Sequence, residues 1–344
     1  MRYNGTGNAL IERGRKMLTA KENFLKCLRG EVPEWVPIYT MGMMSDGDGP
    51  PADMLVEPLI ISEHRVRGGG PDVWGVEYVP TDSTSGALIP ANDKFILDDI
   101  TKWRDVIKAP DLSGIDWEKM CREDIERRKL DRSKTAVCMN LHMGYFQTLM
   151  SFMGFTNGLC AMYEEPEEVK ALFEYLCDFY CTVAEKYVDY CKPDVWTMMD
   201  DTAAWANPFI SPAMYREFLI PLYIRQAKFG RDRGLPISMH NCGKCEGFLD
   251  DLVKIGVTMW DPAQTCNDLV GIKKKYGNKL VIAGGWDAQG RILQDDVTYE
   301  EIYESVKKQM DLLAPGGGYC FLGGFLANKG DENVVKKNAM LYKA

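Results

Sequence analysis

Residues 236–262, PISMHNCGKCEGFLDDLVKIGVTMWDP, hold two short apolar runs on either side of a segment with helical spacing. PISMHN and VTMWDP are typical of buried strands, whereas KCEGFLDDLVKIG is typical of a helix. Two strands joined by a crossover helix run parallel, because the helix returns the chain to the edge from which it started. This stretch therefore predicts one strand-helix-strand unit of an α/β fold.

The same unit recurs along most of the chain. Further predicted strands are VPIY, TAVCMNL, DVWTMMD, KLVIAGGWD and GGYCFLGG, and predicted helices include EEPEEVKALFEYLCDFYCTVAEKYVDYC and VTYEEIYESVKKQMDLLA. About seven strands can be counted in this way, and an irregular insertion after the first strand has room for the eighth. The pattern favours a single (β/α)8 TIM barrel, an α/β fold, over residues 1–344.

An open doubly wound sheet is the alternative architecture. Its dinucleotide-binding form carries GxGxxG after the first strand, and the glycine runs at 68–70 and 316–318 lack that context. Residues 1–18 are expected to be an N-terminal extension, followed by a helix that Thr19 and Glu22 begin as a capping box. The insertion, at about 40–95, is expected to form a lid or an extra small layer.

Composition excludes several classes of protein. The net charge of −9 argues against binding to a nucleic-acid backbone, which needs a concentrated positive surface. No run of about 18 apolar residues predicts a membrane span, and charges interrupt the place where a secretory signal needs its apolar core. The eleven cysteines lack the spacing of a disulfide framework. A cytoplasmic enzyme with reduced thiols is expected, and a homo-oligomer stays open.

Polar side chains cluster where the predicted strands end. In a TIM barrel these ends meet at one rim and point into the active site. The residues placed there by the sequence are His240, Asn241, Cys242, Asp200, Asp201, Asp261, Asp287 and Cys320. A histidine, cysteines and several acids are therefore expected to converge although they are distant in sequence.

His240, Cys242 and Cys320 make up a Cys2His set, which binds Zn²⁺ at catalytic sites and leaves one coordination position open. The local competitor is the CxxC formed by Cys242 and Cys245, as a redox pair or as half of a zinc knot. No second CxxC is present to complete such a knot. His240 also has a structural alternative as a hydrogen-bonded strand-end histidine.

Asp200 and Asp201 are the predicted catalytic residues. Either one serves as general acid or base, as a partner of a metal ligand, or as a fourth zinc ligand, and the alternative is a cap for the following helix. His142, in NLHMGYF, also follows a strand and either holds substrate or caps its loop. Several aromatic and methionine residues near the predicted rim suit a flat apolar ligand: Trp196, Met198, Met199, Trp205, Met259, Trp260 and Trp286.

These segments resemble the uroporphyrinogen decarboxylase (URO-D) superfamily, and within it the zinc- and corrinoid-dependent methyltransferases of the methylcobamide:coenzyme M type. The matching pieces, in order, are LTAKENFLKCLRGEVPEWVPIY, WGVEYVP, ISPAMYREFLIPLY, HNCGKCEGFLDDLVKIGVTMWDP, VIAGGWDAQG and GGGYCFLGG. The resemblance implies a TIM barrel that binds zinc through a His-x-Cys pair and a distant cysteine. Those positions are His240, Cys242 and Cys320.

The resemblance also implies a corrinoid cofactor, cobalamin, with Trp260, Trp286 and His142 as the residues expected to contact it. The chain has no DxHxxG motif, so a separate corrinoid protein is the expected partner. The second substrate is a small methyl donor, such as a methoxylated aromatic, or a thiol acceptor; demethylation is favoured.

Two other functions stay open. Decarboxylation of a porphyrinogen needs arginines after the first strand to pair with its carboxylates, and none lies between Arg29 and Arg65. The remaining alternative is a non-catalytic barrel that binds a tetrapyrrole at its rim.

Overall fold

The computed structural model describes residues 17–41, 51–82, 86–142, 144–326 and 331–344 of the protein. In this part of the chain seven parallel strands form one curled sheet. In order across the sheet they are β1 (Asp53–Val56), β5 (Ala136–Asn140), β6 (Val195–Met199), β7 (Ile237–His240), β8 (Met259–Ala263), β9 (Val281–Gly285) and β10 (Tyr319–Leu322). Every strand predicted after residue 130 is confirmed, and β1 is the strand that the insertion concealed.

Residues 37–40, the closing segment, join the two edges of the sheet. Tyr39 donates its N–H to the carbonyl of Phe321 at 2.8 Å, and Phe321 donates to the carbonyl of Pro37 at 2.9 Å. On the opposite edge, the N–H of Thr40 donates to Oδ1 of Asp53, the first residue of β1, at 2.8 Å. The predicted strand VPIY is thus a single bridge, because Pro37 has no N–H to extend the ladder. The fold is a (β/α)8 barrel.

Helices cover the outside of the sheet. They are α1 (Ala20–Leu28), α2 (Leu59–Arg67), α3 (Trp103–Val106), α4 (Trp117–Arg127), α5 (Tyr145–Met153), α6 (Phe155–Glu164), α7 (Pro166–Cys191), α8 (Pro212–Met214), α9 (Ile220–Arg231), α10 (Leu249–Lys254), α11 (Leu269–Tyr276), α12 (Tyr299–Leu313) and α13 (Glu332–Lys343). The predicted capping box begins α1, where Thr19 and Glu22 bond each other's backbone N–H. No helix among the described residues is long and apolar enough to span a membrane.

Part of the insertion forms a small additional layer, which is one of the two forms expected for it from the sequence. It contains a three-stranded antiparallel sheet of β2 (Gly70–Pro71), β3 (Glu77–Pro80) and β4 (Leu88–Pro90). Residues 42–50 and 83–85 of the insertion lie outside the described residues, as do residues 1–16 of the predicted N-terminal extension.

The barrel interior is apolar at the end where the strands begin. Inward side chains there belong to a buried cluster that includes Ala136, Val195 and Val281, and α1 closes it with Phe24 and Cys27. Alternate strand residues face outward and pack against the helices. At the opposite end several inward residues are polar, among them Asn140, His240 and Asp261, so polar side chains gather at that rim.

A buried carboxylate joins this rim to α5. Asp200, directly after β6, accepts hydrogen bonds from the N–H groups of Phe146 and Gln147 at 3.0 and 3.1 Å and from the Tyr223 hydroxyl at 2.8 Å. Gly144 directly precedes α5, and glycine is needed there because its backbone lies so close to Asp200 that no side chain fits. A Cβ there would lie 2.1 Å from Oδ1 and 2.7 Å from Cα of Asp200.

The Gly144→Ala variant is expected to lose about 1–3 kcal/mol of unfolding free energy, because the added methyl group displaces Asp200 from the helix it caps. Gly114→Ala is the matched control, since a Cβ at Gly114 meets nothing within 4 Å. Urea unfolding of both variants measures the difference. Equal stability of the two would show that the Asp200 junction does not depend on this contact.

Candidate active site

Three metal-ligating side chains meet at the rim. The Sγ of Cys242 lies 3.6 Å from Nε2 of His240, and that nitrogen lies 3.8 Å from Oδ1 of Asp201. Their ligand atoms all fall within 4.8 Å of one another, and among the described residues they form the one such group. The structure therefore brings together two of the three predicted zinc ligands and one of the two predicted catalytic acids.

The loop after β6 and the loop after β7 are bonded to each other, which fixes this arrangement. Asp201 accepts the N–H of Cys242 at 2.7 Å, and Thr202 donates its N–H to the side chain of Asn241 at 3.1 Å. Gly243 has a φ of 88°, and a Cβ there would lie 2.4 Å from the carbonyl oxygen of Ala203. The HxCG pattern thus combines two ligands with the glycine that the close approach requires.

Asp261, at the neighbouring strand β8, orients His240. Its Oδ1 lies 2.6 Å from Nδ1 of the imidazole, and its Oδ2 accepts the Ser238 hydroxyl at 3.1 Å. Burial opposes the charge on His240, but the attraction of Asp261 outweighs burial and raises the pKa of the imidazole well above its usual value. A carboxylate on Nδ1 directs Nε2 toward Cys242, which is the arrangement that metal-binding histidines use.

The donor set fits a zinc ion. Two ligands held at about 2.0 and 2.3 Å from a tetrahedral zinc stand about 3.6 Å apart, the spacing found between Nε2 of His240 and Sγ of Cys242. Burial raises the pKa of the Cys242 thiol, and a bound cation would favour its thiolate form. Asp201 would supply a carboxylate oxygen as the third donor.

Cys320, the predicted third zinc ligand, lies elsewhere. It occupies the middle of β10, is fully buried in the apolar cluster under the rim, and its Sγ lies 3.9 Å from Sγ of Cys27. The strand continues to Leu322, which is the inward residue nearer the rim. The predicted trio is therefore not assembled, because Cys320 stands one inward position below the strand end.

Cys245, the other half of the CxxC, is also turned away from the site. It is fully buried, and its thiol donates to the carbonyl oxygens of Asn241 and Cys242.

The two predicted acids have different positions. Asp200 caps α5, a helix that precedes it in the chain. The side chain of Asp201 is 30% exposed and belongs to the group with His240 and Cys242.

The predicted corrin-contacting tryptophans need correction. Trp260 is fully buried and donates Nε1–H to the carbonyl of Asn241 at 3.0 Å. Trp286 is 5% exposed, donates to the Ser305 hydroxyl at 2.9 Å and packs against the ring of Phe325. Both belong to the outer core between sheet and helices, so neither offers an open ring face to a planar cofactor.

His142 is at the rim, as predicted. Its Nδ1 lies 2.6 Å from Oε1 of Glu57, the residue that follows β1, and its N–H donates to the side chain of Asn140 at 2.6 Å. The imidazole is 26% exposed. The structure thus adds a second imidazole–carboxylate pair to the pair of His240 with Asp261.

An aromatic cavity of about 340 Å³ opens beside Asp201. Its lining comes from β4, α5, α6, the loop after β4 and the loop after β6. The lining residues are Ile89, Pro90, Phe95, Phe146, Gln147, Met150, Ser151, Phe155, Asp201 and Phe209. Phe146 and Phe209 stack at 5.8 Å, and Phe155 meets Phe209 edge-on at 4.7 Å. The cavity is mostly apolar, its described lining contains no lysine or arginine, and Gln147 and Asp201 supply polar groups.

Sequence reasoning missed this cavity and Glu57. Of the residues proposed from the sequence for a flat ligand, none lines the cavity; its rings are phenylalanines from separate elements. Gln147, which donates to Oδ2 of Asp201 at 3.1 Å, was not proposed from the sequence either. Glu57 could have been found from the sequence, because it is a charged residue directly after the apolar run DMLV.

Comparisons with known proteins identify the family of the chain and agree with its fold. The family model for uroporphyrinogen decarboxylase (URO-D) matches residues 121–325, more than half of the chain. Among solved structures, a methyltransferase from Methanosarcina mazei has a TM-score of 0.64 and 15% identity, with 95% of this chain and 99% of that chain covered. A uronate isomerase from Bacillus halodurans has a TM-score of 0.31 and 12% identity, with 64% of this chain and 52% of that chain covered. A structural likeness this weak supports no conclusion.

No curated protein sequence matches the chain. The family match takes in the strands that supply Asp201, His240, Cys242 and Asp261, and the structural likeness extends the fold to almost the full length. The resemblance stated from the sequence is confirmed: the chain belongs to the URO-D family.

Proposed function

We propose that the protein is a zinc-dependent methyltransferase that moves a methyl group between a small substrate and the cobalt of a corrinoid carried by a separate protein. One observation carries the proposal: His240, Cys242 and Asp201 converge beside an aromatic cavity that Asp201 helps to line. The likeness to the Methanosarcina mazei protein, a methyltransferase, supports the same class of reaction.

His240, Cys242 and Asp201 would hold the zinc ion. When bound, zinc supplies a Lewis acid that polarises an oxygen bearing a methyl group, or that lowers the pKa of a thiol. The remaining work belongs to the chain itself. Asp261 keeps Nε2 of His240 directed at the site, and Gln147 holds the carboxylate of Asp201 in place.

The cavity favours a methoxylated aromatic compound as the methyl donor over a thiol acceptor. Its volume lies within the range of small-molecule sites, and its phenylalanine rings offer flat apolar walls. The polar groups of Gln147 and Asp201 lie on one side, so a donor ring would place its methoxy group toward the metal-ligating residues.

The same lining argues against the alternatives. A porphyrinogen bound for decarboxylation presents several carboxylates, and among the described residues no lysine or arginine lines the cavity to pair with them. A purely tetrapyrrole-binding barrel meets the same difficulty. The corrinoid therefore arrives on its own protein, in keeping with the absence of a DxHxxG motif from the chain.

The first prediction concerns the metal. Protein purified without added metal is expected to contain stoichiometric zinc by mass spectrometry, and His240→Gln, Cys242→Ala and Asp201→Asn are each expected to lose most of it. Cys320→Ala is the control and should keep its zinc, because its thiol lies in the apolar cluster. Zinc lost from Cys320→Ala but kept by Asp201→Asn would restore the trio predicted from the sequence.

The second prediction concerns the reaction. With reduced cobalamin and a set of methoxyarenes, the zinc-loaded protein is expected to change the cobalamin absorption spectrum and release the corresponding phenol. Methylcobalamin with thiols tests the opposite direction. An unchanged spectrum in both directions, with free cobalamin and with a corrinoid protein, would reject the methyltransferase assignment.

The third prediction concerns the donor. Phe155→Ala is expected to raise the KM for a methoxyarene about 2- to 10-fold, since an aromatic contact contributes about 0.5–1.5 kcal/mol. Phe155 is 45% exposed, so the fold should tolerate the change. Tyr163→Ala on the same helix removes a ring that is 72% exposed and outside the cavity lining, and should leave the KM unchanged.

A further inference from the structure

Glu57 and His142 form a carboxylate–imidazole pair that the proposed metal site does not use. Glu57 follows β1 and His142 follows β5, and these two strands pair in parallel with Val56 opposite Met139. The atoms Nδ1 of His142 and Oε1 of Glu57 are 2.6 Å apart. The pair therefore stands at the carboxyl ends of adjacent strands, where barrel enzymes hold their reacting groups.

The charge on Glu57 fixes the role of each imidazole nitrogen. Burial opposes ionisation of Glu57, but His142, Arg65 and Arg128 outweigh it and lower its pKa to about 2. A carboxylate only accepts hydrogen bonds, so Nδ1 carries the hydrogen that joins the pair. Nε2 then remains for another partner, and no described residue bonds to it; the side chain is 26% exposed, against 10% for Glu57.

The neighbouring charged groups do not compete for this role. Burial, helped by the charge of Arg65, lowers the pKa of His64 to about 4, so this imidazole is neutral at pH 7. Arg65 and Arg128 keep their protons and act on Glu57 only as fixed positive charges. His142 is the imidazole of this cluster that is partly exposed, whereas His64 is buried.

The backbone holds His142 in an unusual conformation. Its φ is 50°, in the left-handed region that residues other than glycine seldom occupy. The N–H of His142 donates to Oδ1 of Asn140 at 2.6 Å, and this bond fixes the turn after β5. Strain of this kind costs about 1 kcal/mol or more and is typical of residues held in place for function.

The pair lies at the same end of the barrel as Asp201, because each residue follows the carboxyl end of a strand. His142 lies two residues before Gly144, whose backbone packs against Asp200, the neighbour of Asp201. Two steps along the chain span at most about 7.6 Å between Cα atoms. His142 and Asp201 therefore border the same mouth of the barrel, from adjacent strands β5 and β6.

We infer that His142, supported by Glu57, donates the proton that the substrate heteroatom takes up when its methyl group leaves. This role rests on the proposed function and names a catalytic residue beyond the metal ligands. The bond between oxygen and the methyl carbon breaks, and its electron pair stays on the oxygen. The methyl group passes to a reduced corrinoid, which supplies the electron pair of the new bond.

The proton balances the step. A metal ion lowers the charge on the oxygen but supplies no proton, and a neutral phenol is released only after one is added. Nε2–H of protonated His142 provides it, and the carboxylate of Glu57 stabilises the imidazolium beforehand. The exposed edge of the ring then regains a proton from water.

The test compares methoxyarenes whose phenol products differ in acidity. His142→Asn is the suitable variant, because asparagine tolerates positive φ and can still donate to Glu57. It is expected to lose about 100-fold in turnover on a donor that yields a weakly acidic phenol. On a nitro-activated donor, whose phenolate leaves without help, the loss should be below about 5-fold. Glu57→Gln should show the same selectivity to a smaller extent.

Glu63→Gln is the matched control for Glu57→Gln, because it makes the same chemical change on a side chain of α2 that is 61% exposed. It should leave both rates unchanged. An equal loss on both donors in His142→Asn would mean that His142 only supports the structure, and the inference would fail while wild-type activity upheld the proposed function.

A measurement without turnover separates the two proposals. The chain has three histidines, so its imidazole signals can be followed individually by NMR and assigned by substitution. Addition of a phenol is expected to shift the His142 signal in the wild type, and the phenol should bind several-fold more weakly to His142→Asn. No shift of this signal at saturating phenol would overturn the inference even if methyl transfer were observed.

Discussion

The arrangement of the rim depends on the buried carboxylate of Asp200. Burial raises its pKa to about 6 against the pull of two backbone N–H groups and a tyrosine hydroxyl, so it is ionised at neutral pH only because those donors surround it. An unpaired carboxylate at this depth would cost many kcal/mol, and the positive end of α5 also favours it. Strand β6 and helix α5 are consequently fixed together. That junction sets Asp201 against Gln147 and gives the cavity its wall.

Much of the fold could be predicted because its signals are local. Apolar runs, crossover helices and the capping box at Thr19 lie within short stretches of sequence. His240 and Cys242 could be predicted for the same reason. Cys320 could not be placed correctly, since the limits of an apolar run do not show where a strand ends, and one inward position separates the rim from the core. Trp260 precedes Asp261, and strand alternation alone directs these two side chains to opposite faces. The Asp200 junction and the cavity arise from elements distant in sequence, so no local pattern contained them.

Each of the two rim histidines has a carboxylate partner on Nδ1, but the surroundings of Nε2 differ. Asp261 orients His240 toward a thiol and a carboxylate, whereas Glu57 orients His142 toward solvent and the mouth of the barrel. A buried carboxylate therefore fixes the ring in both cases, and the neighbours of the second nitrogen are the basis for proposing different roles for the two histidines. Among the described residues, the apolar cluster closed by α1 contains no imidazole–carboxylate pair.

The close contact at Gly243 has a thermodynamic consequence. The loop after β7 rests on the carbonyl of Ala203, and Lys244 donates its N–H to the carbonyl of Ala204 at 2.9 Å. The loops that carry the proposed ligands are thus held together by contacts of the chain itself. Little conformational entropy would be lost if the proposed zinc ion bound, which would favour tight binding. In zinc-dependent small domains folding requires the ion, whereas the apolar core of this barrel would stabilise the fold without the proposed ion.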